Sequence, residues 1–238
     1  MEIKMEKVKT VFCRLQNFKN TPLLDKLETA RENGADTVII EVANGVRWGS
    51  HPEIARDAEW FRWKGYKEID LSASCSRQEL RRRVKQLHTL GYQTVPMLNF
   101  SAMHDEWLGL YERMISSAQY YTVCRDLVYE VSDLFDKPAY IHIGMNDENA
   151  DHLVIDSGFA ACRYGNLLWH DVEFFCDCVR ETGAQPWMWA DLLFTYPEEF
   201  KEHVDPENLL LSISAENISM QLPKEAEEYS FLETEDLL

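Results

Sequence analysis

The chain has 238 residues, 45% of them hydrophobic, and 24 basic against 41 acidic side chains give it a formal net charge of −17. That length allows one domain with a sizeable core, so residues 1–238 read as a single unit. The charge excludes a basic footprint for nucleic acid and disfavours an anionic membrane surface, whereas neutral ligands such as sugars are compatible with it.

In chain order, short apolar strands alternate with amphipathic helices. Val8–Leu15 reads as a strand, and Thr21-Pro22 then opens a helix carrying Leu23, Leu27 and Ala30 up to Gly34. Thr37–Val42 is a β-branched run of the kind buried on both faces of a sheet. A long polar and aromatic loop follows, from Ala43 to Ser74. Ser76 and Glu79 form a capping box ahead of Leu80, Val84 and Leu87, with Gly91 as the stop. Thr94–Phe100 is the third strand. Tyr120, Cys124, Leu127, Val131 and Leu134 mark the third helix, and Tyr140–Met145 the fourth strand. Leu168, Val172, Phe175 and Val179 mark the fourth helix. Trp187–Leu193 and Leu209–Ile213 read as strands five and six, and from Pro223 the sequence is an acidic, irregular tail.

This alternation calls for a parallel sheet with right-handed crossovers. An open sheet built around a nucleotide needs a glycine-rich turn after strand one, where Leu15-Gln-Asn-Phe-Lys19 stands instead. The long loops follow strands, where (β/α) barrels build their sites. The expectation is therefore an α/β TIM-type barrel, incomplete at about six strand–helix units. Its open edge calls for a partner chain, such as a second copy, to cover it, or else leaves the protein poorly stable.

No apolar run of about 18 residues is present, so no membrane span is expected. Met1–Lys7 is charged and lacks the apolar stretch of a signal peptide, an expectation of cytoplasmic location. Cysteines 13, 75, 124, 162, 176 and 178 form no Cys-x-x-Cys pair and read as reduced packing thiols.

Polar residues gather at the predicted C-terminal strand ends: Arg14, Glu41, Asn99, His104, His142, Asp147, Glu148, Asp191 and Glu216. A barrel brings such ends together around one axis however far apart they are in sequence. In Tyr140–Glu148, His142 and Gly144 share a strand face, and Gly144 leaves room for a close approach. Adjacent carboxyls that raise one another's pKa suit a glycosidic proton donor. After strand two, Trp48 and its polar neighbours could stack on a sugar or simply fold the loop down. Glu41, His142, Asp191 and Glu216 would alternatively suit Mg²⁺ or Mn²⁺ in a sugar isomerase or epimerase, although no compact ligand motif accompanies them.

The segment His142-Ile-Gly-Met-Asn-Asp-Glu148 resembles the strand-four His-x-Gly-Gly-Asp-Glu motif of glycoside hydrolase family 20 β-N-acetylhexosaminidases. Cys13-Arg14, Pro96 to Asn99 with His104, and Trp187-Met-Trp189-Ala-Asp191 resemble that family's strand-one, strand-three and strand-five segments, in the same order. The resemblance implies a carbohydrate ligand, no cofactor or metal, and a retaining reaction in which the substrate's own 2-acetamido group is the nucleophile. It implies Glu148 as general acid, Asp147 as the orienting group and His142 as their support. Arg14 would hold hydroxyls, and Trp187 or Trp189 would wall the acetamido pocket. The segment carries one residue more than the motif. Aligned without a gap, Asn146 and Asp147 take the Asp-Glu positions, and both registers stand at this point. Asn99 occupies a position where the family has aspartate, and a non-catalytic relative that binds sugar weakly or not at all is the alternative to an active hydrolase.

Overall fold

The computed structural model describes residues 9–15, 21–42, 46–55, 75–102, 104–146, 148, 162–214 and 223–236. Within them, seven strands close into a barrel in sequence order: β1 (Lys9–Arg14), β2 (Ala35–Glu41), β3 (Gln93–Met97), β4 (Tyr140–His142), β5 (Gln185–Trp189), β6 (Leu210–Ser214) and β7 (Phe231–Asp236). Every neighbouring pair is parallel. The helices are α1 (Thr21–Glu32), α2 (Arg77–Thr89), α3 (Ala118–Leu134), α4 (Asn166–Glu181), α5 (Asp191–Thr195) and α6 (Pro197–His203). No helix among the described residues is long and apolar enough to cross a membrane.

The period-two alternation of each strand divides its side chains between two cores. Val11, Cys13, Val38, Ile40, Ile141, Met188 and Leu211 face outward to the apolar stripes of the helices, such as Leu80, Val84 and Leu87 of α2. Phe12, Ile39, Val95, Met97, Trp187 and Leu232 fill the barrel itself. Local signals fix where helices begin: the Ser76 hydroxyl accepts from the Glu79 N–H at 3.2 Å, and Ser117 accepts from Tyr120 N–H at 3.2 Å.

Three expectations need correction. The acidic tail is not irregular. Tyr229 is buried with its hydroxyl donating to the Val204 carbonyl at 2.8 Å, and Phe231–Asp236 then forms the seventh strand between β6 and β1. Phe231 packs toward the helices and Leu232 into the barrel, each worth about 1.5–3 kcal/mol on burial. With β7 joined to β1, the open edge that called for a second copy is gone. The third correction concerns strand five, which ends at Trp189, so that Asp191 opens the short helix α5 instead of lying on a strand.

The described part of the loop after β2 is tied down on α3. Glu130 of α3 accepts from Gly49 N–H and Ser50 N–H, both at 2.8 Å, and from the Ser50 hydroxyl at 2.6 Å, while Arg77 pairs with it at 3.0 Å. His51 bridges Glu53 at 2.9 Å and Asp126 at 3.0 Å. Trp48 is drawn inside by this docking and packs 6.0 Å from the Trp107 ring. Of the two uses the sequence left open for Trp48, this burial fits folding the loop down and not stacking on a sugar; it is a core residue. All six cysteines are free thiols.

Candidate active site

The C-terminal ends of the strands form the mouth of the barrel. On β1 and β2, Arg14 and Glu41 are register partners with inward side chains, and Arg14 Nε donates to Glu41 Oε2 at 3.1 Å. Arg14 is half-exposed, so the outer edge of its guanidinium faces solvent.

Past β3, Asn99 is fixed by its own chain: its Oδ1 accepts from Ser101 N–H at 3.2 Å and from the Ser101 hydroxyl at 2.9 Å. Its amide nitrogen must then donate elsewhere, and it reaches Asn146 Oδ1 at 2.8 Å. Asn146 in turn donates from Nδ2 to His104 Nε2 at 3.0 Å. That bond leaves the His104 proton on Nδ1 in the neutral ring. Asn99, Asn146 and His104 thus form one hydrogen-bonded line, drawn from residues up to 47 apart in sequence. Gly144 and Met145 make it possible by taking left-handed backbone with φ of 76° and 65°, which turns the chain sharply after β4. At Gly144 a side chain has no room: an added Cβ would lie 2.1 Å from Asn99 Oδ1 and 2.7 Å from its Cα.

Beneath this line, His142 is fully enclosed beside Trp187 and Trp189, with ring centroids 5.9 and 5.0 Å away. Its Nδ1 accepts from Gly144 N–H at 3.0 Å, so Nε2 carries the proton, and Nε2 has no hydrogen-bond partner among the described residues. Burial pushes the His142 pKa down from 6.5 to about 3. The folded protein therefore binds fewer protons than the unfolded chain between those values, and stability falls as pH drops from about 6.5 towards 3. A His142→Met variant should show a distinctly flatter pH dependence of its urea midpoint over pH 6.5 to 4 than the wild type. Equal slopes would refute this assignment. Trp187 is buried and donates from its indole N–H to the Ser212 hydroxyl, whereas Trp189 is partly exposed at the mouth.

Glu148 is placed against expectation. It does not face the mouth but is buried with a fully inaccessible carboxylate. One oxygen accepts from Ala102 N–H at 2.7 Å and the other from Arg163 N–H at 3.0 Å, while Arg163 Nη1 lies 3.2 and 3.4 Å from the two. N–H donors thus face both oxygens, an arrangement made for a carboxylate acceptor and not for a carboxyl group that gives up a proton. Arg163 also pairs through Nε with Asp171 at 2.5 Å, donates to the Phe100 carbonyl at 3.0 Å, and donates to the Tyr120 hydroxyl at 2.7 Å. Burial works against its charge, but Tyr120, Glu148 and Asp171 outweigh that and hold its pKa well above the ordinary arginine value. Sequence reasoning missed Arg163 and Asp171. The available signal was Asp171 itself, a charge set on the apolar stripe of α4 between Leu168 and Phe175.

Of the remaining expected site residues, Asp191 lies just past β5 at the start of α5, partly exposed. Asp147 and Glu216 lie outside the described residues. Among the described residues no group of three or more His, Cys, Asp or Glu side chains could hold a metal ion, and Glu41 is engaged by Arg14.

No protein-family model matches the sequence, and no curated protein matches it either. Solved structures do resemble the fold. The β-N-acetylhexosaminidase from Bacteroides fragilis superposes with a TM-score of 0.59 at 14% identity, covering 87% of this chain and 44% of that one. The glycoside hydrolase family 20 β-N-acetylhexosaminidase from Streptomyces coelicolor A3(2) gives 0.63 at 10% identity, covering 97% and 48%. The chitobiase from Flavobacterium johnsoniae gives 0.65 at 14% identity, covering 98% and 38%. This chain spans about half the length of these enzymes or less. Its barrel is similar to those of family 20 hexosaminidases, in agreement with the resemblance of the strand-four motif, and at such identities the likeness is one of fold.

Proposed function

We propose that this barrel is a glycoside hydrolase-like protein that takes a terminal N-acetylhexosamine at its mouth, with Asn146 and Asp147 in the roles of orienting group and general acid. The observation that carries the reading is the Asn99–Asn146–His104 line at the strand ends, together with the withdrawal of Glu148 into the buried ion pair. Asn146 Oδ1, oriented by the bond it accepts from Asn99, is the kind of acceptor that suits the N–H of a 2-acetamido group. An acetamide held that way directs its carbonyl oxygen at the anomeric carbon, the substrate-assisted exception to the two-carboxylate scheme. The leaving oxygen then needs a proton, which Asp147 supplies in the ungapped register. Arg14, steadied by Glu41, supplies donors for sugar hydroxyls, and Trp189 an apolar wall.

The test is hydrolysis of 4-nitrophenyl N-acetyl-β-D-glucosaminide. Loss of a general acid predicts a fall of at least ~100-fold in Asp147→Asn. A second reading, sugar binding without turnover, is favoured by a specific feature: amides stand at residues 99 and 146, where the family's strand-three and strand-four segments carry aspartate. Calorimetric binding of N-acetylglucosamine by a wild-type protein that hydrolyses nothing would establish that reading. A folded protein that neither binds nor cleaves a panel of sugars sinks both.

A further inference from the structure

The strand-four motif continues into a buried cluster that the proposed chemistry does not use. Glu148 and Arg163, fifteen residues apart, are joined both through the Arg163 backbone N–H and through its guanidinium. The same guanidinium reaches the carbonyl of Phe100, the ring hydroxyl of Tyr120 on α3 and the carboxylate of Asp171 on α4. Asp171 is held in turn by the Ser116 hydroxyl at 2.7 Å and the Tyr121 hydroxyl at 2.5 Å. Glu148 also takes Ala102 N–H, next to Ser101, whose N–H and hydroxyl lock Asn99. The chain segments leaving β3 and β4 are therefore cross-tied to each other and to two helices. The tie grips both segments within three residues of Asn99 and Asn146.

We propose that Glu148 and Arg163 are positioning residues: their buried ion pair, anchored on Asp171, sets the backbone after β3 and β4 so that Asn99, Asn146 and His104 meet at the mouth. The inference deepens the hydrolase reading and rests on it for the readout in turnover, but it makes a separate claim about geometry. Neither residue touches substrate, and Glu148 is not the proton donor. Four of the tie's contacts end on backbone atoms, Ala102 N–H, Arg163 N–H, the Phe100 carbonyl and, one step removed, Ser101 N–H, so it dictates chain path and not just side-chain packing.

The experiment compares wild type with Glu148→Gln, Arg163→Met and Asp171→Asn in the full chain. Circular dichroism checks the fold, NMR follows the His104 imidazole signals, and nitrophenyl glycoside hydrolysis is measured across pH. Folded Arg163→Met should shift the His104 signals as Asn146 leaves its register. It should also lose at least ~10-fold in kcat with KM within about twofold, a split expected when alignment and not binding is lost. Glu148→Gln should lower kcat yet keep both limbs of the pH profile. Loss of the alkaline limb in Glu148→Gln would overturn the proposal, because Glu148 would then be the acid. Unmoved His104 signals in folded Arg163→Met overturn it as well. If Arg163→Met does not fold, Asp171→Asn, which removes only the anchor, is read the same way. If wild type cleaves no sugar, the hydrolase reading fails, while the His104 signals still decide the positioning claim.

Discussion

Arg163→Met is expected to lower the stability of the barrel by about 3–5 kcal/mol, the range for removing one partner of a buried ion pair. The magnitude follows from what is left behind. Glu148 and Asp171 would remain as two inaccessible carboxylates with no cation between them, and the Phe100 carbonyl and Tyr120 hydroxyl would each lose a donor. For a chain of this size each kcal/mol moves Tm by about 2–4 °C, so calorimetry should show a drop of roughly 6–20 °C. A drop of only a degree or two would mean that water or rearranged side chains replace the guanidinium. Glu148→Gln should cost less, because one amide oxygen still accepts. Its NH2 group must nevertheless face an N–H donor, leaving a buried donor unpaired at about 1–3 kcal/mol.

Gly144→Ala should be the second severe substitution, and the more telling one for the mouth. With φ at 76°, alanine pays about 1–2 kcal/mol for left-handed backbone. The methyl group would also sit 2.7 Å from the Asn99 Cα, a backbone atom that no rotamer change can move aside. Such overpacking adds about 1–3 kcal/mol, for a total of about 2–5 kcal/mol. Because the displaced residue is Asn99, the bond to Asn146 breaks with it, and under the proposed function any binding of N-acetylglucosamine should fall together with Tm. A Gly144→Ala protein with wild-type Tm and unaltered Asn99 and Asn146 side-chain amide signals would show that the turn after β4 relaxes freely.

The barrel was readable because burial on both faces imprints itself on composition. The run Thr37–Val42 and the stripes Leu80-Val84-Leu87 and Leu168-Val172-Phe175-Val179 have no other stable use than a sheet covered by helices. The convergence of Arg14, Glu41, Asn99 and His104 followed from the same reading, since parallel strands all deliver their C-terminal ends to one face. Strand β7 was not legible. Phe-Leu-Glu-Thr-Glu-Asp carries two apolar residues and three acids, and it becomes a strand through the ladders that β6 and β1 offer on either side.

The site divides along the same line. The sequence by itself determined the kind of groups at the mouth, their order along the chain and the glycine that lets β4 turn there, because strand period and residue type are local properties. Only the tertiary structure decided that the carboxylate of Glu148 is withdrawn from solvent. Asp-Glu at 147 and 148 reads as two adjacent acids, but Glu148 is fixed by an arginine fifteen residues on and by backbone of the neighbouring strand end. Likewise the sequence leaves Trp48 open between a sugar platform and a packing residue until Glu130, some eighty residues away, ties its loop onto α3. A buried charge or a docked loop is defined by partners distant in sequence, and no local pattern records which partner will arrive.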